Sequence, residues 1–120
     1  MTKKTHIRSG APWETIVGYS RAVRIGNHIE ISGTLAIEDG EIVGLGDAYA
    51  QTICILGKIK QVLEELGASL NDVVRTRMYV TDIRLWEEVG RPMGSFLVRS
   101  CRQHPWWRYP SSSNRITWLK

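Results

Sequence analysis

The chain has 120 residues, 42% of them hydrophobic and 23% charged, with a formal net charge of +4, which suits one domain around one hydrophobic core and leaves no room for two. No apolar run approaches the roughly 18 residues that span a bilayer, and the charged start MTKKTHIRSG has no apolar stretch behind it, so a soluble, cytoplasmic chain without a membrane partner is expected. Cys54 and Cys101 form no CxxC and have no histidine at ligand spacing, which argues against a metal site and a disulfide framework and leaves Cys54 as a small core residue. No cofactor motif is present either: GLGDAYAQ lacks the lysine and glycine spacing of a phosphate loop.

TIVGYSRAVRI, Thr15 to Ile25, alternates Val17, Tyr19, Arg21 and Val23 against Gly18, Ser20 and Ala22, and Gly26-Asn27 leads into HIEISG, which predicts a β-hairpin. In its second strand Ile29 and Ile31 face one way and His28, Glu30 and Ser32 the other, so one side is core and the other meets solvent or a partner. Glu38-Asp39-Gly40 reads as a turn before a short strand at Glu41 to Val43. From Asp47, an N-cap candidate, to Leu66 the residues Ile55, Ile59, Val62, Leu63 and Leu66 recur at helical spacing, and Gly67 is a natural stop. VVRTRMYVTD, Val73 to Asp82, predicts a strand with Val74, Met78 and Val80 on one face and Arg75, Arg77, Tyr79 and Thr81 on the other. A second helix is predicted over about Arg84 to Leu97. Both helices then cover one face of a mixed sheet. The other face carries Tyr19, Arg21, Glu30, Ser32, Arg75, Arg77 and Tyr79, a mixture of aromatics and arginines that suits an oligomer contact.

These elements carry a resemblance. GYSRAVRIGNHIEISGT, then GDAYAQT at the helix start and GASLNDVVRTRMYVTDI at the following strand, are similar in order and content to the RidA family, also called YjgF or L-PSP, over roughly residues 9–94. The resemblance implies an α+β, chorismate-mutase-like fold with a mixed β-sheet and two helices packed on one face, assembled as a homotrimer with ligand clefts between subunits. It also implies hydrolysis of small reactive enamines and imines, such as 2-aminoacrylate, to 2-keto acids and ammonia, with no cofactor.

The end of the chain departs from that pattern. Residues 1–98, the family-like body, hold eleven Lys/Arg against twelve Asp/Glu, whereas residues 99–120 hold five basic residues, no acid and three of the five tryptophans. The family continues after the second helix with a Pro-Ala segment leading to Val-Glu-Val and a last strand like Leu-Val-Glu-Ile-Glu. Neither is present here, yet Trp106-Trp107 must be encoded TGG TGG, and reading from each third base gives valine; an AGR codon for Arg108 then gives glutamate and Tyr109 a valine or isoleucine. Preceding triplets permit Pro-Ala-Thr-Pro-Met from Cys101 to Trp106, and Trp118 to Lys120 permit Val-Glu. The tail therefore reads as a reading-frame slip near Gly94 that replaces the last two strands. Arg115 to Leu119 keeps a strand-like composition, while Pro105, Pro110 and Ser111 to Ser113 interrupt pairing. WWRY with flanking arginines could stack on bases, but the slip explains it without a specific nucleic-acid partner, and VRSC, which mimics an Ala-Arg-Ser-Cys segment of deaminating members, follows the helix too soon and is a coincidence.

Imine hydrolysis needs a cation for the substrate carboxylate, a dry pocket, and groups that position water and handle protons. The resemblance implies catalytic roles for Tyr19 and for Ser32, which match the family's cleft tyrosine and serine. The usual carboxylate-binding arginine has no matching position, and Gly90 stands where deaminating members often carry Asn. Arg77 first, then Arg75 and Arg21, are the candidate replacements as anion anchors, with Tyr79 and Trp86 as lining residues for the small carbonyl or imine metabolite. The plainer alternatives are packing for Tyr19 and for the tryptophans Trp13 and Trp86, a strand-end hydrogen bond for Ser32, and salt bridges to Glu30 or Glu14 for the arginines. His6, His28 and His104 are scattered and support neither triad nor metal. Three function classes follow: a RidA-like deaminase-type hydrolase, a non-catalytic small-ligand or protein-binding trimer, and the endoribonuclease or translation-inhibitor role attached to some relatives, for which a basic cleft rather than a basic tail would be diagnostic.

Overall fold

The computed structural model describes residues 3–97, 106–108 and 117–119. Strand β1 (Lys4–Ile7) and a short helix α1 (Pro12–Val17) precede β2 (Ala22–Ile25) and β3 (His28–Ile31). The predicted hairpin is present, with Ile25 opposite His28 across Gly26-Asn27. Its first strand is shorter than expected, because Thr15 to Val17 are helical. Three local signals outweigh the alternation there. Pro12 stands in the first turn where its missing N–H costs nothing, Glu14 accepts from the Ser9 backbone at 2.7 Å, and Gly18 ends the helix in the left-handed region at φ 81, which glycine adopts without a Cβ penalty.

Strands β4 (Ile37–Glu38) and β5 (Glu41–Ile42) form a small ribbon around the expected turn at Asp39-Gly40, the second of them the short strand predicted at Glu41 to Val43 and the first not expected. Helix α2 (Ala48–Glu65) begins where Asp47 accepts a hydrogen bond from the Ala50 N–H at 3.0 Å, and stops before Gly67, whose φ of 80 suits only glycine well. After a 3-10 turn at Leu70–Asp72 comes β6 (Arg77–Val80), then a second such turn and helix α3 (Trp86–Leu97). Met78 and Val80 are fully buried as predicted, but Val74 is 81% exposed, because the chain at residues 73–76 has not yet entered the strand.

Helices α2 and α3 lie on the same face of the strands. Ile55 and Leu56 of α2 pack with Met78, Val80, Val89 and Met93 in one buried cluster, while Val62 and Leu66 at the other end of α2 close on Ala22, with Ile29 and Ile31 against them. Helix α2 thus ties together two sheets, β1-β2-β3 and β7-β6-β8, where β7 is Trp106–Arg108 and β8 is Thr117–Leu119. The second sheet is the mixed one: β7 runs parallel to β6 and β8 antiparallel. The strand-like end of the tail therefore does add to the sheet, and Trp106–Arg108 does so as well; Pro105, Pro110, Cys101, His104 and Ser111 to Ser113 lie outside the described residues. No helix among the described residues is long and apolar enough to cross a membrane.

Candidate functional site

The registers of the first sheet decide which side chains share its open face. Cross-strand partners lie on the same side, so His6, opposite Val23, and Glu30, also opposite Val23, project away from α2, as does Lys4 opposite Ile25. On β6 the buried Met78 and Val80 alternate with half-buried Arg77 and Tyr79, which places the latter pair on the side away from the helices. This face is open in the single chain, as the sequence pattern predicts.

A cleft of about 480 Å³ on this face is lined by Tyr19, Ser32 and Arg77 together with Lys4, His6 and Glu30. Three sequence-predicted residues from three separate stretches are thus brought together. Tyr19 is delivered by the turn after α1, where its N–H donates to the Glu14 carbonyl at 3.0 Å. Ser32 follows β3; its hydroxyl donates to the Ser20 carbonyl at 2.7 Å. His6 Nδ1 lies 3.1 Å from the Ser20 hydroxyl. Among the described residues the Arg77 Nε, like that of Arg21, is buried with no hydrogen-bond partner, a donor whose desolvation is uncompensated unless an acceptor arrives.

The remaining candidates go elsewhere. Arg75 lines an adjoining groove. Arg21 is turned inward, donating to the Thr34 hydroxyl at 2.9 Å and the Gly33 carbonyl at 2.8 Å; burial pushes its guanidinium below the usual arginine range, against the opposing pull of Tyr19 and Glu14. It braces the Ser32–Thr34 segment. Tyr79 and Trp86 are not among the cleft-lining residues, and Trp86 is half exposed at the start of α3. The proposed partner Glu14 is claimed within its own segment: it accepts from the Ser9 N–H and hydroxyl. Burial alone would raise its pKa, but the Ser9 hydrogen bonds, Arg21 and the Gly10 backbone hold the carboxyl below the usual carboxylate range. Glu30 pairs with His28 across one strand face.

Sequence reasoning missed His6 and Lys4. The signal was present in KTHI, where Lys4 and His6 alternate with Thr5 and Ile7 at strand period, but a four-residue strand without a turn signal is weak evidence. Cys54 is half-buried against the main core cluster, with its thiol 3.5 Å from Glu38; burial first, and then Glu38, push the thiol up. Among the described residues no group of three or more His, Cys, Asp or Glu could hold a metal ion.

Comparison with known proteins gives the family and the fold. The family profile Endoribonuclease L-PSP matches residues 9–113, well past Gly94 and into the tail. A RutC family protein of Pyrococcus abyssi is 44% identical over 102 residues, covering 83% of this chain and 79% of its own. The 3-aminoacrylate deaminase RutC of Acinetobacter baylyi is 34% identical over 83 residues, covering 68% of this chain and 65% of its own. The crystal structure of Rv2704 from Mycobacterium tuberculosis, a member of the YjgF/YER057c/UK114 family, superposes with a TM-score of 0.83 at 35% identity, covering 98% of this chain and 97% of the other. The chain spans only 63% of the length of a similar Streptomyces coelicolor protein.

Proposed function

The chain belongs to the Endoribonuclease L-PSP family, which includes the RutC and YjgF proteins, and from that membership we propose that it is a deaminase-type hydrolase of small enamine or imine carboxylates, working as a homotrimer. The observation that carries the proposal is the cleft that joins Tyr19, Ser32 and Arg77. A substrate carboxylate supplies the acceptor that the buried Arg77 Nε lacks, and a charged hydrogen bond of this kind is both stronger and more directional than a neutral one. Binding there presents the imine carbon to the Tyr19 and Ser32 side. Water adds to that carbon, the C=N bond becomes a C–N single bond, and the tetrahedral adduct loses ammonia as its hydroxyl becomes the keto oxygen. In this reading His6 and Tyr19, which line the cleft, move the protons this sequence requires. The relative named 3-aminoacrylate deaminase supports the same class of chemistry.

The trimer belongs to the same proposal. The cleft faces solvent in one chain, and a second subunit over the face of Arg77 and Tyr79 would exclude water from it.

A non-catalytic binding trimer is the second reading, favoured by the commitment of the Ser32 hydroxyl proton to Ser20, which removes one of the two candidate proton-handling groups. An imine generated in place by an amino-acid oxidase separates the two. Hydrolysis faster than the buffer rate, measured as ammonia and keto-acid release and reduced in Arg77→Ala, supports the enzyme; saturable binding of a 2-keto acid without rate enhancement selects the binder.

A further inference from the structure

Ser20 joins two of the side chains that line the Tyr19 cleft. It is 8% exposed, its carbonyl accepts from the Ser32 hydroxyl at 2.7 Å, and its own Oγ lies 3.1 Å from the His6 Nδ1. The backbone holds this joint: the Ser32 N–H donates to the Arg21 carbonyl at 3.0 Å, and β1 is locked on β2 with His6 opposite Val23 and Ile7 opposite Ala22. The contact between His6 and Ser20 is therefore set by strand register.

A contact between a hydroxyl and an imidazole nitrogen can run in either direction, and the direction decides which ring nitrogen carries the proton. If Nδ1–H donated to Oγ, the Ser20 O–H would need an acceptor of its own, and among the described residues the hydroxyl has no hydrogen-bond contact besides His6. A buried O–H without an acceptor loses its hydration uncompensated. The opposite direction satisfies that donor and leaves idle only a lone pair on an oxygen that has two.

We infer that Ser20 is a positioning residue: its hydroxyl donates to the His6 Nδ1 and keeps the proton of the neutral ring on Nε2, which the cleft receives as a hydrogen-bond donor. The Nε2 edge has no partner among the described residues, and His6 is exposed in the cleft wall shared with Tyr19, Ser32 and Arg77. Glu30, the carboxylate of the same wall, does not take that proton. It stands two strands away across Val23, about 10 Å at sheet spacing, and pairs with His28. An N–H donor in one cleft with the Arg77 guanidinium specifies the ligand: a carboxylate for the arginine and, close to it, an atom with a free lone pair, either a keto oxygen or a neutral imine nitrogen. An ammonium in that place would set N–H against N–H. The inference rests on the hydrolase reading for the identity of the ligand. Within that reading it narrows the part of His6 to the donor side, because a base would need the Nε2 lone pair that Ser20 withholds.

Nitrogen-15 correlation spectra through the long-range ring couplings read the tautomer directly, on the full chain in alkaline solution where imidazole is neutral, with the His6 signals identified by their loss in His6→Gln. The expected result is a protonated Nε2 and an unprotonated Nδ1. In Ser20→Ala the two nitrogen shifts should draw together as the second tautomer becomes populated. Pyruvate should move Nε2 more than Nδ1. Its affinity should fall about three- to tenfold in His6→Phe, the loss of one hydrogen bond, and recover in His6→Gln, whose amide keeps an N–H donor but cannot act as a base. A proton on Nδ1 in the wild type overturns the inference, with or without pyruvate. So do shifts unmoved by Ser20→Ala, which would assign the tautomer to the ring's own preference, and an affinity lost equally in His6→Gln and His6→Phe. Pyruvate that fails to bind while Nε2 is protonated and responds to Ser20→Ala upholds the role of Ser20 and overturns the carboxylate reading of the cleft instead.

Discussion

Replacing Arg77 by alanine tests the anchor on which the proposed chemistry depends. The Arg77 Nε is buried without an acceptor and the guanidinium borders the Tyr19–Ser32 cleft, so a bound carboxylate gains a charge-assisted hydrogen bond that alanine cannot make. Such a bond contributes about 1.5–3 kcal/mol, and at about 1.4 kcal/mol per tenfold this is about a 10- to 150-fold loss of affinity. Folding stability is expected to change by less than about 1 kcal/mol, because the truncation orphans no acceptor of the Nε and removes a buried donor that had none. Calorimetric titration with pyruvate, and in parallel with its uncharged amide, separates charge recognition from packing. The carboxylate ligand should weaken by that factor while the amide barely changes, and Arg77→Lys should lie between, since it keeps the charge and loses the planar fork. Unchanged pyruvate affinity in Arg77→Ala, or an equal loss for the amide, refutes the assignment and returns Arg77 to a structural role.

Glu14→Gln should destabilise the chain by about 1–3 kcal/mol in urea unfolding at neutral pH, since Ser9 donates to that carboxylate; with the folded pKa depressed, the stabilisation is present above the ordinary carboxylate range and is lost as pH falls through the lower folded value, so the wild-type advantage should vanish in acid. An advantage that persists at low pH would contradict this. Asp47→Ala removes the cap of α2 and should cost about 1 kcal/mol, read as a shift of the denaturation midpoint at constant slope. Restoring the alternative frame from the Gly94 codon should raise solubility and melting temperature without removing any specific RNA binding, and a present sequence that is the more stable of the two would overturn the frame-slip reading of the tail.

The elements with strong periodic signals were legible. Helix α2 shows both its apolar stripe and its caps in the sequence, and Met78 and Val80 announce the buried face of β6. The misreading at Thr15 to Val17 came from trusting alternation over Pro12, Glu14 and Gly18, which fix a single helical turn through local hydrogen bonds rather than through burial. Val74 kept strand pattern without strand position, and burial depends on position. In the site, Tyr19, Ser32 and Arg77 were nameable from motif and face, but Arg21 had the same face parity and turns inward to Thr34 and Gly33; nothing in a linear pattern distinguishes a bracing arginine from an anchoring one. The cleft role of His6 depends on β1 pairing with β2, a tertiary fact that four residues do not announce.

The central claim is that carboxylate recognition by Arg77 in an inter-subunit cleft underlies the function, and a crystal structure of the protein grown with pyruvate tests it most directly. The expected result is a trimer in which the pyruvate carboxylate accepts from the Arg77 guanidinium, the keto carbon faces Tyr19 and Ser32, and a neighbouring subunit closes the cleft. Pyruvate bound away from Arg77, or a monomer with the face of Arg77 and Tyr79 open to solvent, would contradict it.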